Sequence, residues 1–211
     1  PIEYLVSPNL LEGVGVATLD RKAQIVAEAT RLFSREGFDR VTVKQLARVC
    51  GITEPAIYRH FPSKDAIYDA VLDSLEERME VAPLFEKLGT EQDVEKVLFA
   101  LATHVINFFT RHDDMYRLLL YSALKEHTKA RKVYDIIRGT YVRFLVAQLD
   151  RLYEAGQIVR KNNEITARCF VGMVFDCALS RTLWRGMQGR QYRPDQVVAN
   201  NVPIYARGLR R

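Results

Sequence analysis

Cysteine is scarce in this chain, and the little there is does not pair by pattern. Cys50, Cys169 and Cys177 are odd in number and no CxxC occurs, so neither a disulfide framework nor a zinc ribbon is expected. Reduced, buried thiols are the expectation. No apolar run approaches the roughly 18–20 residues of a membrane span. The N-terminal stretch lacks the basic-then-apolar order of a secretory leader, and a cytoplasmic protein is expected. Phosphate-binding glycine loops, GxSxG, HExxH and Cys/His nucleophile patterns are all missing, which argues against an enzyme. No cofactor and no metal is expected. His112-Asp113-Asp114, with His104 earlier on the same helix, is the nearest approach to a ligand set. Three adjacent residues seldom converge on one ion, and a solvated helix end capped by Asp is the better account. Strand signals are wanting too, since no Asn-Gly or Asp-Gly joins alternating runs.

What remains is helix. Of 211 residues, 48% are apolar and 27% charged, which suits a chain with a substantial core. Apolar residues recur at helical spacing almost throughout. Pro1 to Thr18 holds two Pro and two Gly and reads as an irregular arm. A first helix is predicted from Leu19 to Glu36, capped by Thr18 or Asp20 and ended by Gly37. Thr42 caps a second helix, Val43 to Cys50, closed by Gly51. Thr53 caps a third, with Pro55 near its first turn, where a missing N–H costs little. Pro62 stops it, and Ser63 caps a fourth that runs to Ala82 with Ile67, Ala70, Val71, Leu75 and Met79 inward. Pro83, Gly89 and Thr90 mark the next break. Further helices are predicted over residues 91–111, 114–124, 128–155, 163–187 and 195–210, the last bent or broken by Pro203 near Ala199 to Val202. The fold class is all-α with about nine helices. It divides into an arm (1–18), a three-helix head with a helix-turn-helix (19–63) and a larger helical regulatory bundle (64–211).

In the head, Leu46, Ala47, Ile52, Ile57 and Phe61 supply an inner side. Thr42, Thr53, Glu54, Tyr58, Arg59, His60 and Lys64 are left outside. A short helix held out in this way fits the major groove of B-DNA, about 12 Å wide. Such a helix shows its first turn to base edges while its flanks hold phosphates. Tyr58, Thr42 and Thr53 have hydroxyls to donate to phosphate. Lys64 lies at a helix N-terminus that already favours an anion. Arg59 suits guanine, Glu54 the N4 of cytosine, and Ala56 a thymine methyl. Bulk charge says less. Net charge is +5, and Leu19 to Lys64 carries nine Lys/Arg against five Asp/Glu. Arg181 to Arg211, away from the reading head, carries the larger excess, seven Arg against one Asp.

Leu19 to Leu72 resembles the N-terminal domain of the TetR family of transcriptional regulators. The matching pieces are Ala29, Leu32-Phe33, Gly37-Phe38, Thr42-Val43, Leu46-Ala47, Gly51-Ile52-Thr53 and above all Tyr58-Arg59-His60-Phe61-Pro62-Ser63-Lys64. The resemblance implies an all-helical homodimer whose recognition helices enter successive major grooves of a near-palindromic operator. By that analogy Thr42, Lys44, Tyr58 and Lys64 meet phosphates, and Thr53, Glu54, Pro55, Ala56, Arg59 and His60 face the groove. Pro55 stands where many relatives keep a free backbone N–H, so one phosphate donor is lost.

The rear of the chain resembles the family only in plan. The helix over 163–187 is apolar around nearly its whole circumference and needs cover on every side. With the last helix it is expected to build a four-helix interface between two copies. The residues chosen for it are Phe170, Met173, Val174, Cys177, Trp184, Val198, Val202 and Tyr205; a central helix buried in one subunit is the alternative. The middle helices are rich in aromatics. His104, Phe108, Met115, Tyr116, Tyr121, Tyr141 and Phe144, with Asn107 and Arg143 as further polar groups, are candidates for a mostly apolar effector cavity, and plain core is the competing account. The expected function is a sequence-specific transcription regulator, a repressor released from a palindromic operator by a small effector. Its partners are then double-stranded DNA, a second copy of itself and the unidentified effector, with no membrane. The alternative is a helical protein-interaction module that does not bind DNA.

Overall fold

The three helices of the head form where caps and glycines punctuate the sequence. A computed structural model describes residues 21–182 and 192–210; the arm expected over 1–18, the caps Thr18 and Asp20, and Trp184 lie outside the described residues. The first helix, α1 (Arg21–Glu36), turns Ile25, Ala29, Leu32 and Phe33 inward, the spacing of a single helical face. Gly37 ends it with φ +85°, and its N–H returns to the Phe33 carbonyl at 3.0 Å. A Cβ at Gly37 would also stand 3.3 Å from Cε1 of Tyr121. Gly37→Ala is therefore expected to destabilise the chain by about 1–2 kcal/mol, read from chemical unfolding.

A capping box opens α2 (Val43–Val49): Thr42 Oγ1 accepts from the Gln45 N–H at 3.2 Å, and Gln45 Oε1 accepts from the Thr42 N–H at 2.8 Å. Gly51, at φ +66°, turns the chain into α3 (Glu54–His60). Thr53 stands at the N-cap without a side-chain hydrogen bond, and Pro55 lies in the first turn. Ser63 Oγ accepts from the Ala66 N–H at 3.1 Å and so starts α4 (Lys64–Glu77).

The fourth helix ends earlier than its sequence suggests. It stops at Glu77, Glu80 takes φ +34°, and Pro83 falls in the first turn of an additional helix, α5 (Ala82–Leu88). A proline starts a helix as readily as it ends one, because the N–H it lacks is an orphan there. Met79 is buried as expected, whereas the Leu75 side chain lies outside the described set. The body continues with α6 (Val94–Arg111), α7 (Asp113–Leu124), α8 (Thr128–Glu154), α9 (Asn163–Thr182) and α10 (Pro194–Leu209). Among the described residues there are thus ten helices rather than nine, and no strand; one isolated bridge joins Ile158 to Arg210.

Two local expectations are corrected. Pro203 does not break α10, which runs as one helix through it. The hydrogen bond it lacks would have gone to Ala199, an exposed residue whose carbonyl water can serve, while buried Val202, Ala206 and Leu209 hold the helix down. At the other correction, His112 rather than an aspartate sits between α6 and α7, with Asp113 and Asp114 in the first turn of α7. Among the described residues no three His, Cys, Asp or Glu side chains are grouped to hold a metal.

The junction of head and body is what positions the reading surface. Helix α1 packs between α4 and α7. Rings of Phe33, Phe38 and Tyr68 meet at 4.7 to 5.6 Å, and His127, from the α7–α8 corner, lies 4.7 Å from Tyr68. Lys125 pairs with Asp39 at 2.7 Å and Lys129 with Asp73 at 3.0 Å. These ion pairs face water and contribute little. The buried rings hold the joint.

Candidate nucleic-acid interface

Only Ile57 of α3 is buried. The rest of this seven-residue helix is therefore available, and its outward face is polar. Thr53, Pro55, Tyr58, Arg59 and His60 are exposed, with Glu54 and Ala56 half-buried. Arg59 and His60 meet no partner among the described residues, and Tyr58 is 49% exposed despite its large ring. Phe61 and Ile57 anchor the helix from beneath. Lys44 is exposed on α2, and Arg48, four residues on, shares its face. Arg48 was not singled out from the sequence, although a basic pair at that spacing is a readable signal. Lys22 adds another cation near α3, 5.5 Å above the Phe61 ring.

Lys64 and Thr42 stand in the expected place but are already engaged. The Lys64 ammonium donates to the carbonyls of Phe38 and Val41 at 2.9 and 3.1 Å and rides 4.2 Å from the Phe38 ring. Two of its three N–H groups thus fasten the start of α4 to the α1–α2 connection, leaving one for an outside acceptor. The Thr42 hydroxyl likewise contacts Gln45 Oε1 at 3.1 Å. Lys44 is the freer cation for a phosphate.

The aromatics proposed for an effector site are not all in one place. Tyr116 and Tyr141 are fully buried and Phe108 nearly so. His104 lies 6.0 Å from Tyr141, ring to ring, and Phe85 stacks on Phe144 at 3.8 Å. Phe175 joins them, 6.2 Å from Tyr141 and 6.3 Å from Tyr116. Phe85 was missed because it belongs to the unforeseen α5. Tyr121 is elsewhere: it lies against Gly37 and beneath Lys125 at the head junction, 46% exposed. Asn107 and Arg143 point to solvent and do not anchor this core. Met115 is in α7, its side chain outside the described set.

The residues chosen for a dimer interface lie mostly inside the single subunit. Phe170, Val174, Cys177, Val198 and Val202 are buried within their own subunit, on the sides of α9 and α10 that face α6 and α8. Met173 and Tyr205 are half-buried. The outward face carries Ile165, Cys169 and Met173 on α9 with Ile204, Tyr205 and Gly208 on α10. An apolar hollow of about 390 Å³ lies between the two helices there. Cys169 is consequently exposed, whereas Cys50 and Cys177 are buried. Because α9 is apolar nearly all round, its pattern did not distinguish the face turned to its own bundle.

Comparison with known proteins bears on the same elements. Residues 25–71, from within α1 to the first turns of α4, match the model of the bacterial regulatory proteins, tetR family. The nucleoid occlusion factor SlmA of Aliivibrio fischeri strain MJ11 is 28% identical over 158 residues, 74% of this chain and 80% of that protein. Solved structures share the fold. A TetR transcription regulator from Haloarcula marismortui has a TM-score of 0.70 at 16% identity, covering 91% of this chain and 99% of its own. AibR, solved with isovaleryl coenzyme A and operator DNA, has a TM-score of 0.65 at 21% identity, covering 88% and 97%. The helices that build the head thus match the tetR family model, and the helical plan that continues behind them is the fold of a solved TetR transcription regulator.

Proposed function

We propose that this TetR-family DNA-binding regulator is a cytoplasmic homodimeric repressor, released from a palindromic operator by a small, mostly apolar effector. The observation that carries the DNA-reading part is α3, a short helix with one buried residue and exposed Arg59 and His60 that meet no partner among the described residues. Thr53, Glu54, Pro55, Ala56, Arg59 and His60 face the groove; Thr42, Lys44 and Tyr58 meet phosphates, with Lys64 holding the head's geometry as well as adding charge. The head ends at Ser63, and α4 carries its position into the body. Two heads held about 34–36 Å apart meet successive turns of one DNA face. An effector that favours another separation lowers operator affinity, and the operator weakens effector binding by the same factor. AibR, which shares the fold, was solved with both isovaleryl coenzyme A and operator DNA, so one protein of this fold takes both kinds of partner.

Two substitutions separate the roles. Arg59→Ala is expected to cost about 1–3 kcal/mol on the operator and little on random DNA. Lys44→Ala should weaken both alike and reduce the salt dependence by about one phosphate contact. Fluorescence anisotropy over a salt series checks both. Identical losses for the two variants on operator and random DNA would refute this division.

A second reading, that the bound DNA serves a task other than promoter control, is favoured by the similarity to a nucleoid occlusion factor over 74% of the chain. Mapping bound sites along the chromosome tells them apart, since promoter control clusters the sites upstream of genes.

A further inference from the structure

Three arginines from different parts of the chain line one hollow where the head meets the body. It holds about 360 Å³, and Phe33, Gly37 and Tyr121 line it together with Arg35, Arg40 and Arg117. Local structure brings them there. Arg35 is in the last turn of α1, where the helix dipole favours a cation. Gly37, at φ +85°, turns the chain out of that helix, and Arg40 lies just beyond it. Arg117 and Tyr121 are one turn apart on α7 and share a face. The Tyr121 ring comes down on Gly37, where a Cβ would meet it at 3.3 Å.

The charge in this hollow is one-sided. One carboxylate lines it beside the three guanidiniums, that of Glu36, whose Oε2 accepts from Gln45 Nε2 on α2 at 3.4 Å. Three positive charges against one negative leave the lining at +2. Lys125, 5.0 Å from the Tyr121 ring, is paired with Asp39 at 2.7 Å and adds no net charge. A concavity lined by charge of one sign draws counter-ions, and guanidiniums hold phosphate oxygens through paired N–H donors. A phosphate monoester is close to a dianion at neutral pH and matches the lining, whereas a carboxylate leaves one charge over. Tyr121, its ring in the wall and much of it exposed, offers a flat group a surface to lie on.

We propose that this hollow binds a small phosphate monoester carrying a flat ring, of the size of a nucleoside monophosphate, and that the bound phosphate joins head to body. Arg35 and Arg40 belong to the head and Arg117 to the body. A phosphate held by both ties α1 to α7, two helices already packed on each other at this joint. The DNA backbone is the poorer match, since its phosphates are diesters with a single charge and its bases are stacked away from them. The site is separate from the buried aromatics of α6 and α8, and binding there requires no operator.

Calorimetric titration of the full chain at low ionic strength with adenosine monophosphate, adenosine and inorganic phosphate tests the assignment. The monophosphate is expected to bind at least about tenfold more tightly than either of the others, because only it supplies both charge and ring. Arg117→Gln and Arg40→Gln should each weaken it about tenfold, with Tm unchanged because both side chains are exposed. Hydrogen exchange from Gly37 to Arg40 should slow when the monophosphate is bound. Absence of binding, equal affinity for adenosine or for inorganic phosphate, a loss in only one of the two variants, or unchanged exchange would overturn the proposal. A second arm separates the two sources of phosphate. Arg117→Gln should bind mixed-sequence duplex DNA as the wild type does; a loss as large as that of Lys44→Ala would assign these arginines to the DNA backbone and overturn it too. If neither protein binds DNA while the monophosphate preference stands, the site survives and the regulator reading falls.

Discussion

Replacing Ile165 and Ile204 together by glutamate produces a folded monomer that binds operator at least about a hundredfold more weakly than the parent chain. Both side chains sit on the outward face of α9 and α10, 58% and 59% exposed, beside the apolar hollow that includes Cys169 and Tyr205. In a lone subunit the substitution touches nothing inside, so helix content and Tm should stay close to those of a wild-type monomer. In a dimer it places two carboxylates per subunit in an apolar seam, at a cost of several kcal/mol for each unpaired charge. Operator affinity falls because two linked heads profit from a high effective concentration, a factor of roughly 10²–10⁴, and separate heads do not. Sedimentation velocity gives the mass, and anisotropy gives the affinity. A variant that keeps the dimer mass places the interface on another face.

Phe33→Ala is expected to lower stability by about 3–5 kcal/mol, the range for removing a large aromatic from a packed core. Phe33 is 1% exposed and its ring lies 5.4 Å from Phe38 and 5.6 Å from Tyr68. No neighbouring side chain is placed to fill the gap cheaply, since Phe38 is itself held beneath the Lys64 ammonium at 4.2 Å. The loss falls where head and body meet, so the DNA-binding surface should loosen before the body does. Chemical unfolding followed by far-ultraviolet circular dichroism gives the first quantity. Hydrogen exchange gives the second, with earlier exchange expected in α2 and α3 than in α8. Uniform exchange across head and body would contradict the role assigned to this joint.

The head was legible because its signals are local. Thr42 and Gln45 form the capping box three residues apart, Gly37 and Gly51 take the positive φ their positions demand, and Ser63 caps the helix that follows Pro62. Each depends on neighbours within a few residues, which a single sequence displays. The rest depended on contacts far along the chain. Lys64 looked like a free phosphate ligand, yet its partners are the carbonyls of Phe38 and Val41, more than twenty residues away. Tyr121 looked like part of an aromatic cavity, and packing placed it against Gly37. Pro83 and Pro203 were read as breaks, though one begins α5 and the other is carried by the burial of its neighbours in α10. On α9 the apolar residues run around the helix, so periodicity did not say which side meets the subunit's own core. His104 and Tyr141 were both named from sequence, but the packing of their rings 6.0 Å apart across α6 and α8 is a fact of tertiary structure.

Selection of bound duplexes from a random DNA pool tests the central claim most directly. If α3 reads the groove from paired heads, the recovered sequences share a two-fold symmetric motif with half-site centres about 10 base pairs apart, and Arg59→Ala changes the preferred bases within it. Recovery of no common sequence at low ionic strength, or of a motif indifferent to every change on α3, would mean that this surface does not read DNA.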